Sequence, residues 1–99
     1  HYVGRYEGSP RERDACYHQG TVWPWLIGPY IDALISVRGR SRPVLAHGRQ
    51  LLSTLLDLKA CGIETLPEVF DGDIPHRPGG CISQAWSVAE VLRAWQACQ

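Results

Sequence analysis

Residues 22–37 are apolar on almost every side, and this stretch limits the possible folds more than any other feature of the chain. In its second half only Asp32 and Ser36 are clearly polar. Pro24 suits the first turn of a helix, and Pro29 predicts either a kink or a restart at the preceding residue. A helix that is apolar all round has to be buried all round. Three helices in 99 residues cannot surround it, and the chain contains no methionine, so we expect it to be part of a longer protein.

Two further helices are predicted on the C-terminal side. Ser41 is placed to cap the second helix, whose apolar stripe runs to a stop at Gly62. After a loop over about 63–82, Ser83 is placed to cap the third helix. Residues 1–21 are polar, are punctuated by glycine and proline, and are predicted to be irregular. The sequence therefore predicts an all-α fold with about three helices.

The order of these helices places the two longest connections at one end of the fold. If the helices run up, down and up, the first and third begin at the same end. Residues 1–21 and 63–82 precede those two starts and should therefore meet, whereas the short basic turn 38–42 should lie at the opposite end. Long ordered loops gathered at one end of a helical scaffold are typical of a functional site.

Charge and cysteine content argue against several classes of protein. Ten basic and ten acidic residues give zero net charge at pH 7, which argues against binding to nucleic acid or to a membrane surface. No apolar run reaches the roughly 18–20 residues of a membrane span, and the start does not resemble a signal peptide. The four cysteines leave a disulfide scaffold open, but they show no C-x-x-C pair and no zinc-ligand spacing. Free thiols in a reducing compartment are favoured, so we expect a cytoplasmic protein. Because the metal-ligand spacing is missing, we expect no metal, and we expect no cofactor.

The residues gathered at the elaborated end suit a carbohydrate site. Aromatic rings cover the apolar faces of a pyranose, while carboxylates and amides bind its hydroxyl groups. A carboxylate can also deprotonate a water molecule, as glycoside hydrolysis requires. On the residues alone a second interpretation stays open, in which the aromatic side chains are core anchors. The candidates are Tyr2, Tyr6, Tyr17, His18, Trp23, Trp25, Glu64, Glu68, Asp71, Asp73, His76, Arg77 and Gln84.

Other patterns favour plain structural roles. The run Asp71-Gly72-Asp73 resembles part of a calcium loop, but it lacks the closing glutamate, so a solvated turn is the preferred interpretation. The histidines are scattered without metal-ligand spacing, and hydrogen bonding is their default role. The arginines of the turn 38–42 suit a solvated turn, although they could also contact an anion.

Two longer strings carry a more specific signal. The first is YHQGTVWPWL at 17–26, and the second is LPEVFDGDIPHRPGGC at 66–81 running into QAWSVAE at 84–90. In order and spacing, the chain from about Tyr2 to Leu92 resembles the C-terminal end of the bacterial and archaeal glycogen debranching enzymes of the amylo-α-1,6-glucosidase type.

This resemblance implies an (α/α)6 barrel of twelve helices, of which residues 1–99 would supply the last three as the C-terminal segment of the catalytic domain. The implied reaction is acid/base hydrolysis of α-1,6-linked glucose at a glycogen branch point, with an α-glucan as partner and no cofactor. Glu68 matches the general base that related barrels carry in the loop before their last helix. The general acid is expected upstream, so the segment alone is expected to be inactive. By the same match, the glucose pocket would be lined by His18, Trp23 and Trp25 and shaped by His76, Arg77, Gln84 and Trp86.

Two other functions remain open from the sequence. The same aromatic residues could serve a carbohydrate-binding module without catalysis. The chain could also be a structural helical fragment that self-associates through its exposed apolar faces.

Overall fold

A computed structural model describes residues 1–57 and 64–99 of the chain. Helix makes up 54% of this part, and the strands are confined to one short antiparallel hairpin. The predicted all-α fold class is therefore confirmed. In chain order the elements are α1 (Pro10–Cys16), a 3₁₀ turn (Pro24–Leu26), α2 (Ile27–Arg38), α3 (Arg42–Leu56), β1 (Val69–Phe70), β2 (Pro78–Gly79) and α4 (Ala85–Ala97).

Helix α1 corrects the prediction that residues 1–21 are irregular. Its N-terminus is closed by a capping box, in which the Ser9 hydroxyl accepts from the backbone N–H of Glu12. The Glu12 carboxylate accepts in return from the backbone N–H of Ser9 at 2.7 Å. Pro10 occupies the first turn, where no amide hydrogen is needed. The S-x-x-E signature of this box is present in the sequence, and it outweighs the glycines and the proline around it.

The predicted first helix is divided in two. A 3₁₀ turn at Pro24–Leu26 leads directly into α2, and Pro29 falls within the first turn of α2, where its missing amide costs nothing. The predicted burial on every side is not found within the described chain. Only Gly28 and Ile31 of α2 are buried, whereas Tyr30 and Val37 are 53% and 81% exposed.

Helices α3 and α4 begin close to the predicted positions. Ser41 occupies the N-cap position of α3, but its side chain makes no capping hydrogen bond. The predicted stop at Gly62 lies outside the described residues. The predicted cap of α4 is wrong, because Gln84 rather than Ser83 occupies the N-cap position. The hydroxyl of Ser83 instead forms a hydrogen bond with that of Thr65 at 2.7 Å.

The three longer helices share one small core. Its buried members come from α2, α3, α4 and the segment before β1: Ile31, Leu52, Leu66, Val91, Ala94 and Cys98. Gly48 allows α3 to approach the end of α4 closely, since a Cβ there would lie 2.6 Å from the Cys98 sulfur. On the surface, Arg93 of α4 forms a bidentate ion pair with Asp32 of α2 at 2.7 and 3.1 Å. These contacts hold α2, α3 and α4 against one another.

The two long segments meet at the end where α2 and α4 begin, as predicted. Val22 and Phe70 exchange two backbone hydrogen bonds of 2.8 Å, which extends the hairpin β1–β2 by one bridge. Nearer the N-terminus, the backbone N–H of Asp73 donates to the carbonyl of Gly4 at 3.0 Å. The loop before α4 thus contains a hairpin that holds residues 1–22 against it.

Candidate active site

Glu68 lies on a segment that is fixed to the start of α4. Leu66 and Pro67, which precede it, are both buried. The carbonyl of Leu66 accepts from the backbone N–H of Gln84 at 2.9 Å. The carbonyl of Pro67 accepts from the hydroxyl of Ser87, itself fully buried, at 2.9 Å. The backbone that carries Glu68 is therefore held by the first turn of α4.

Each oxygen of the Glu68 carboxylate accepts a hydrogen bond. Oε2 accepts from the backbone N–H of Cys81 at 2.8 Å, and Oε1 accepts from the hydroxyl of Tyr17. Gly80 turns the chain beside this carboxylate with a φ of 68°. A Cβ on Gly80 would also lie 3.0 Å from the Cβ of Glu68, so both the turn and the close approach require glycine.

The hydrogen bond from Tyr17 to Glu68, assisted by partial burial of the phenol, raises the pKa of Tyr17 to about 12. The hydrogen bond exists only while the phenol is protonated, and the negative charge of the carboxylate disfavours a phenolate in the same direction. The Tyr17 hydroxyl therefore stays protonated at neutral pH and remains a hydrogen-bond donor.

The carboxylate borders an open, largely polar pocket of about 420 Å³. Arg13 of α1 adds a positive charge to its wall. The lining residues are Tyr6, Arg13, Glu68, Gly79, Gly80 and Cys81.

A chain of aromatic rings extends from Tyr17 to the first turn of α4. Trp23 meets the ring of Tyr17 edge-on with centroids 4.5 Å apart, and its indole N–H donates to the Tyr17 carbonyl at 3.1 Å. His18 stacks on Trp23 at 5.5 Å and 11° between planes. Trp86 meets Trp23 edge-on at 6.2 Å and stacks on Trp25 at 5.3 Å. These rings form one continuous group, and Trp86 remains 47% exposed.

His76 and Arg77 belong to a second group, centred on Asp71. Asp71 Oδ2 accepts from Arg77 Nε at 2.9 Å, and Oδ1 accepts from the backbone N–H of Tyr6 at 2.8 Å. The Asp71 carbonyl contacts His76 Nδ1 at 3.0 Å. A second carboxylate, from Glu7, lies 3.0 Å from Arg77, and hydrogen bonds to Glu7 and Asp71 raise the pKa of the guanidinium. This group ties the N-terminal segment to the hairpin.

Asp71 thus contradicts the interpretation of its run as a solvated turn, because its side chain is only 6% exposed. Burial is possible because the guanidinium and an amide N–H satisfy both carboxylate oxygens. Within residues 1–57 and 64–99, no group of three or more His, Cys, Asp or Glu side chains is arranged to hold a metal ion.

The structure brings together six of the eight candidates from the sequence. Glu68, His18, Trp23, Trp25 and Trp86 are joined through Tyr17 or through one another, and Gln84 holds the Glu68 segment through its backbone. The other two are set apart, since His76 and Arg77 contact Asp71 instead. A carboxylate held by two donors beside a row of rings can accept a proton from water and can bind a sugar.

Tyr17 was missed by the sequence analysis as the partner of Glu68, and Arg13 was missed as part of the pocket wall. Tyr17 was noted only as one aromatic residue among several, and Arg13 was not singled out. The missed signal is the capping box of α1, because a helix over residues 10–16 places positions 13 and 17 on one face.

Comparison with known protein families identifies the family of the chain. The family model described as amylo-alpha-1,6-glucosidase matches residues 1–93, and the chain belongs to this family. It is a region of a glycosidase of the glycogen debranching enzyme type. No solved structure matches the chain significantly. Among the helices described in both ranges, none has the length and apolar character needed to cross a membrane.

Proposed function

We propose that residues 1–99 form the C-terminal segment of the catalytic (α/α)6 barrel of an amylo-α-1,6-glucosidase. The enzyme hydrolyses α-1,6-linked glucose at the branch points of glycogen or a limit dextrin. The observation that carries the proposal is the position of Glu68, immediately before α4, with both carboxylate oxygens hydrogen-bonded and a row of aromatic rings beside it. Family membership over residues 1–93 supplies the reaction class.

Glu68 acts as the general base. An ionised carboxylate has about four lone-pair sites, so two bound donors leave room for a water molecule. Glu68 takes a proton from that water as its oxygen attacks the anomeric carbon, and the glycosidic oxygen leaves with a proton from a second carboxyl group. In inverting enzymes the two groups stand roughly 6.5–9.5 Å apart.

The general acid comes from another part of the enzyme. Asp71 does not fit this role, because both its oxygens are already bonded, to Arg77 and to the N–H of Tyr6. A proton donor also has to reach the leaving oxygen from across the scissile bond. The segment is accordingly inactive without the rest of the barrel.

The aromatic row binds the glucose unit. Trp23, Trp25 and Trp86 offer ring faces or edges to the apolar side of a pyranose, and His18 extends the row. Gln84, His76 and Arg77 shape the pocket through the loop that they hold.

The proposal includes a location, which the thiols support. Cys16, Cys81 and Cys98 are free, which suits a reducing compartment, and we place the enzyme in the cytoplasm.

The test is the release of glucose by the full-length enzyme from a limit dextrin that carries single α-1,6-linked glucose units. Proton NMR during the first minutes should show β-glucose, since the attacking water inverts the α configuration. Early release of α-glucose would remove Glu68 as general base. Tight binding of the dextrin without glucose release would favour the alternative, a carbohydrate-binding protein without catalysis.

A further inference from the structure

Tyr17 is the one side chain in the described ranges that donates a hydrogen bond to Glu68. The other donor is the backbone N–H of Cys81, which no substitution except proline removes. The two donors act on different oxygens, so together they fix the plane of the carboxylate. Without Tyr17, the Oε1 side of Glu68 would be held by packing alone.

Tyr17 is itself held at several points. It follows directly on α1, whose capping box fixes that helix. Its carbonyl accepts from the Trp23 indole at 3.1 Å, and its ring packs against Trp23 and Tyr6 at 4.5 and 5.6 Å. The backbone and the ring of Tyr17 are therefore both fixed where its hydroxyl donates to Glu68. The same residue joins the carboxylate to the aromatic row.

Resting on the function proposed above, we propose that Tyr17 is a positioning residue, which aims the Glu68 carboxylate at the attacking water and keeps it in register with the sugar-binding rings. The phenol, with its pKa raised to about 12, is protonated at neutral pH and can donate to Glu68 there. A displacement of about 1 Å in a reacting group can cost on the order of 10²-fold in rate.

The experiment is Tyr17→Phe in the full-length enzyme, assayed with the limit dextrin. The substitution keeps the ring, and with it the contacts to Trp23 and Tyr6, and removes only the hydroxyl. We expect kcat to fall roughly 10- to 100-fold with little change in KM, within the range of about 10²–10⁴ that general acid–base catalysis contributes. Tyr30→Phe is the control, because Tyr30 is an exposed tyrosine of α2 that lies outside the candidate site. This control should retain wild-type kcat.

A double-mutant cycle distinguishes positioning from a general structural role. If Tyr17 acts through Glu68, Tyr17→Phe should lower the residual rate of Glu68→Gln by less than about 2-fold, since residues that act as a unit are not additive. Full additivity, or a wild-type kcat for Tyr17→Phe, would overturn the inference even if Glu68→Gln is inactive. A fully active Glu68→Gln would instead overturn the proposed function.

Discussion

The indole of Trp86, in the first turn of α4, stacks on that of Trp25, in the 3₁₀ turn before α2, with centroids 5.3 Å apart and planes 28° from parallel. The pair joins the starts of two helices that are distant in sequence. Trp86 is 47% exposed, which is more exposure than a side chain that only packs in a core would have. This exposure favours a role in binding over a role in packing alone.

Trp86→Ala in the full-length enzyme should raise KM for the limit dextrin about 10-fold while changing kcat only a few-fold. The loss corresponds to about 1.4 kcal/mol, near the upper end of what one aromatic contact contributes. Trp86→Phe keeps a ring at the site and should restore most of the affinity. If Trp86→Ala has the KM of the wild type, Trp86 is a packing residue and not part of the glucose pocket.

Asp71→Ala should destabilise the loop that carries Glu68. The substitution leaves the N–H of Tyr6 and the guanidinium of Arg77 without their buried partner, at a cost of about 1–3 kcal/mol. Urea unfolding followed by circular dichroism measures this change. Asp73→Ala is the matched control, since Asp73 is exposed and bonds the exposed Tyr2 hydroxyl. Equal effects of the two substitutions would show that Asp71 does not organise the hairpin.

The ion pair between α2 and α4 predicts a small dependence of stability on pH. A hydrogen bond from Arg93 lowers the pKa of Asp32 below its ordinary value. A lowered pKa in the folded state means that the stabilisation is present above the unfolded value, near 3.8, and is lost as pH falls through the folded value. Both side chains are about half exposed, at 46% and 50%, so the pair contributes no more than about 1 kcal/mol.

Asp32→Asn should therefore lower the free energy of unfolding slightly at pH 7 and leave it unchanged near pH 2. Thermal unfolding at the two pH values, in low salt, measures the difference. An equal loss at both would show that packing, not charge, accounts for the effect of the substitution.

The 99-residue chain alone should self-associate. An apolar groove of about 320 Å³ lies between the end of α3 and α4, and Leu56 and Leu92 in it are 48% and 60% exposed. In the full barrel we expect other helices to cover this groove. Sedimentation velocity should show dimers or larger species, and Leu92→Lys should shift them toward monomer. Ile74→Lys, at an exposed apolar residue outside the groove, should not. A compact monomer of the unmodified chain would contradict the expectation.

The three longer helices were predictable because their apolar patterns are local. Apolar periodicity located α2, α3 and α4, and alternation of direction then placed residues 1–21 beside the loop before α4. Local sequence patterns predict less well where a residue distant in sequence forms the hydrogen bond to a side chain. Ser83 could have capped α4, but its hydroxyl is hydrogen-bonded to the hydroxyl of Thr65, which is distant in sequence. Asp71 was assigned to a solvated turn because only the fold brings the N–H of Tyr6 to it.

The residue types of the candidate site could be predicted from the sequence, but the hydrogen bonds between its residues could not. The resemblance identified Glu68 and the tryptophans, since these lie in contiguous strings. The link between Tyr17 and Glu68 spans 51 positions and depends on a helix that the glycines and proline around it concealed. His76 and Arg77 lie in the same string as Glu68, but the hairpin turns them toward Asp71.

The turnover number of Glu68→Gln in the full-length enzyme tests the central claim most directly. The substitution keeps the size of the side chain and an acceptor for Tyr17, but removes the ability to take a proton from water. Its control is Glu64→Gln, an exposed glutamate just before the buried Leu66 and Pro67. We predict a fall in kcat of about 10²–10⁴-fold for Glu68→Gln, with an unchanged circular dichroism spectrum, and wild-type turnover for Glu64→Gln. Wild-type turnover by Glu68→Gln would contradict the assignment of Glu68 as the general base.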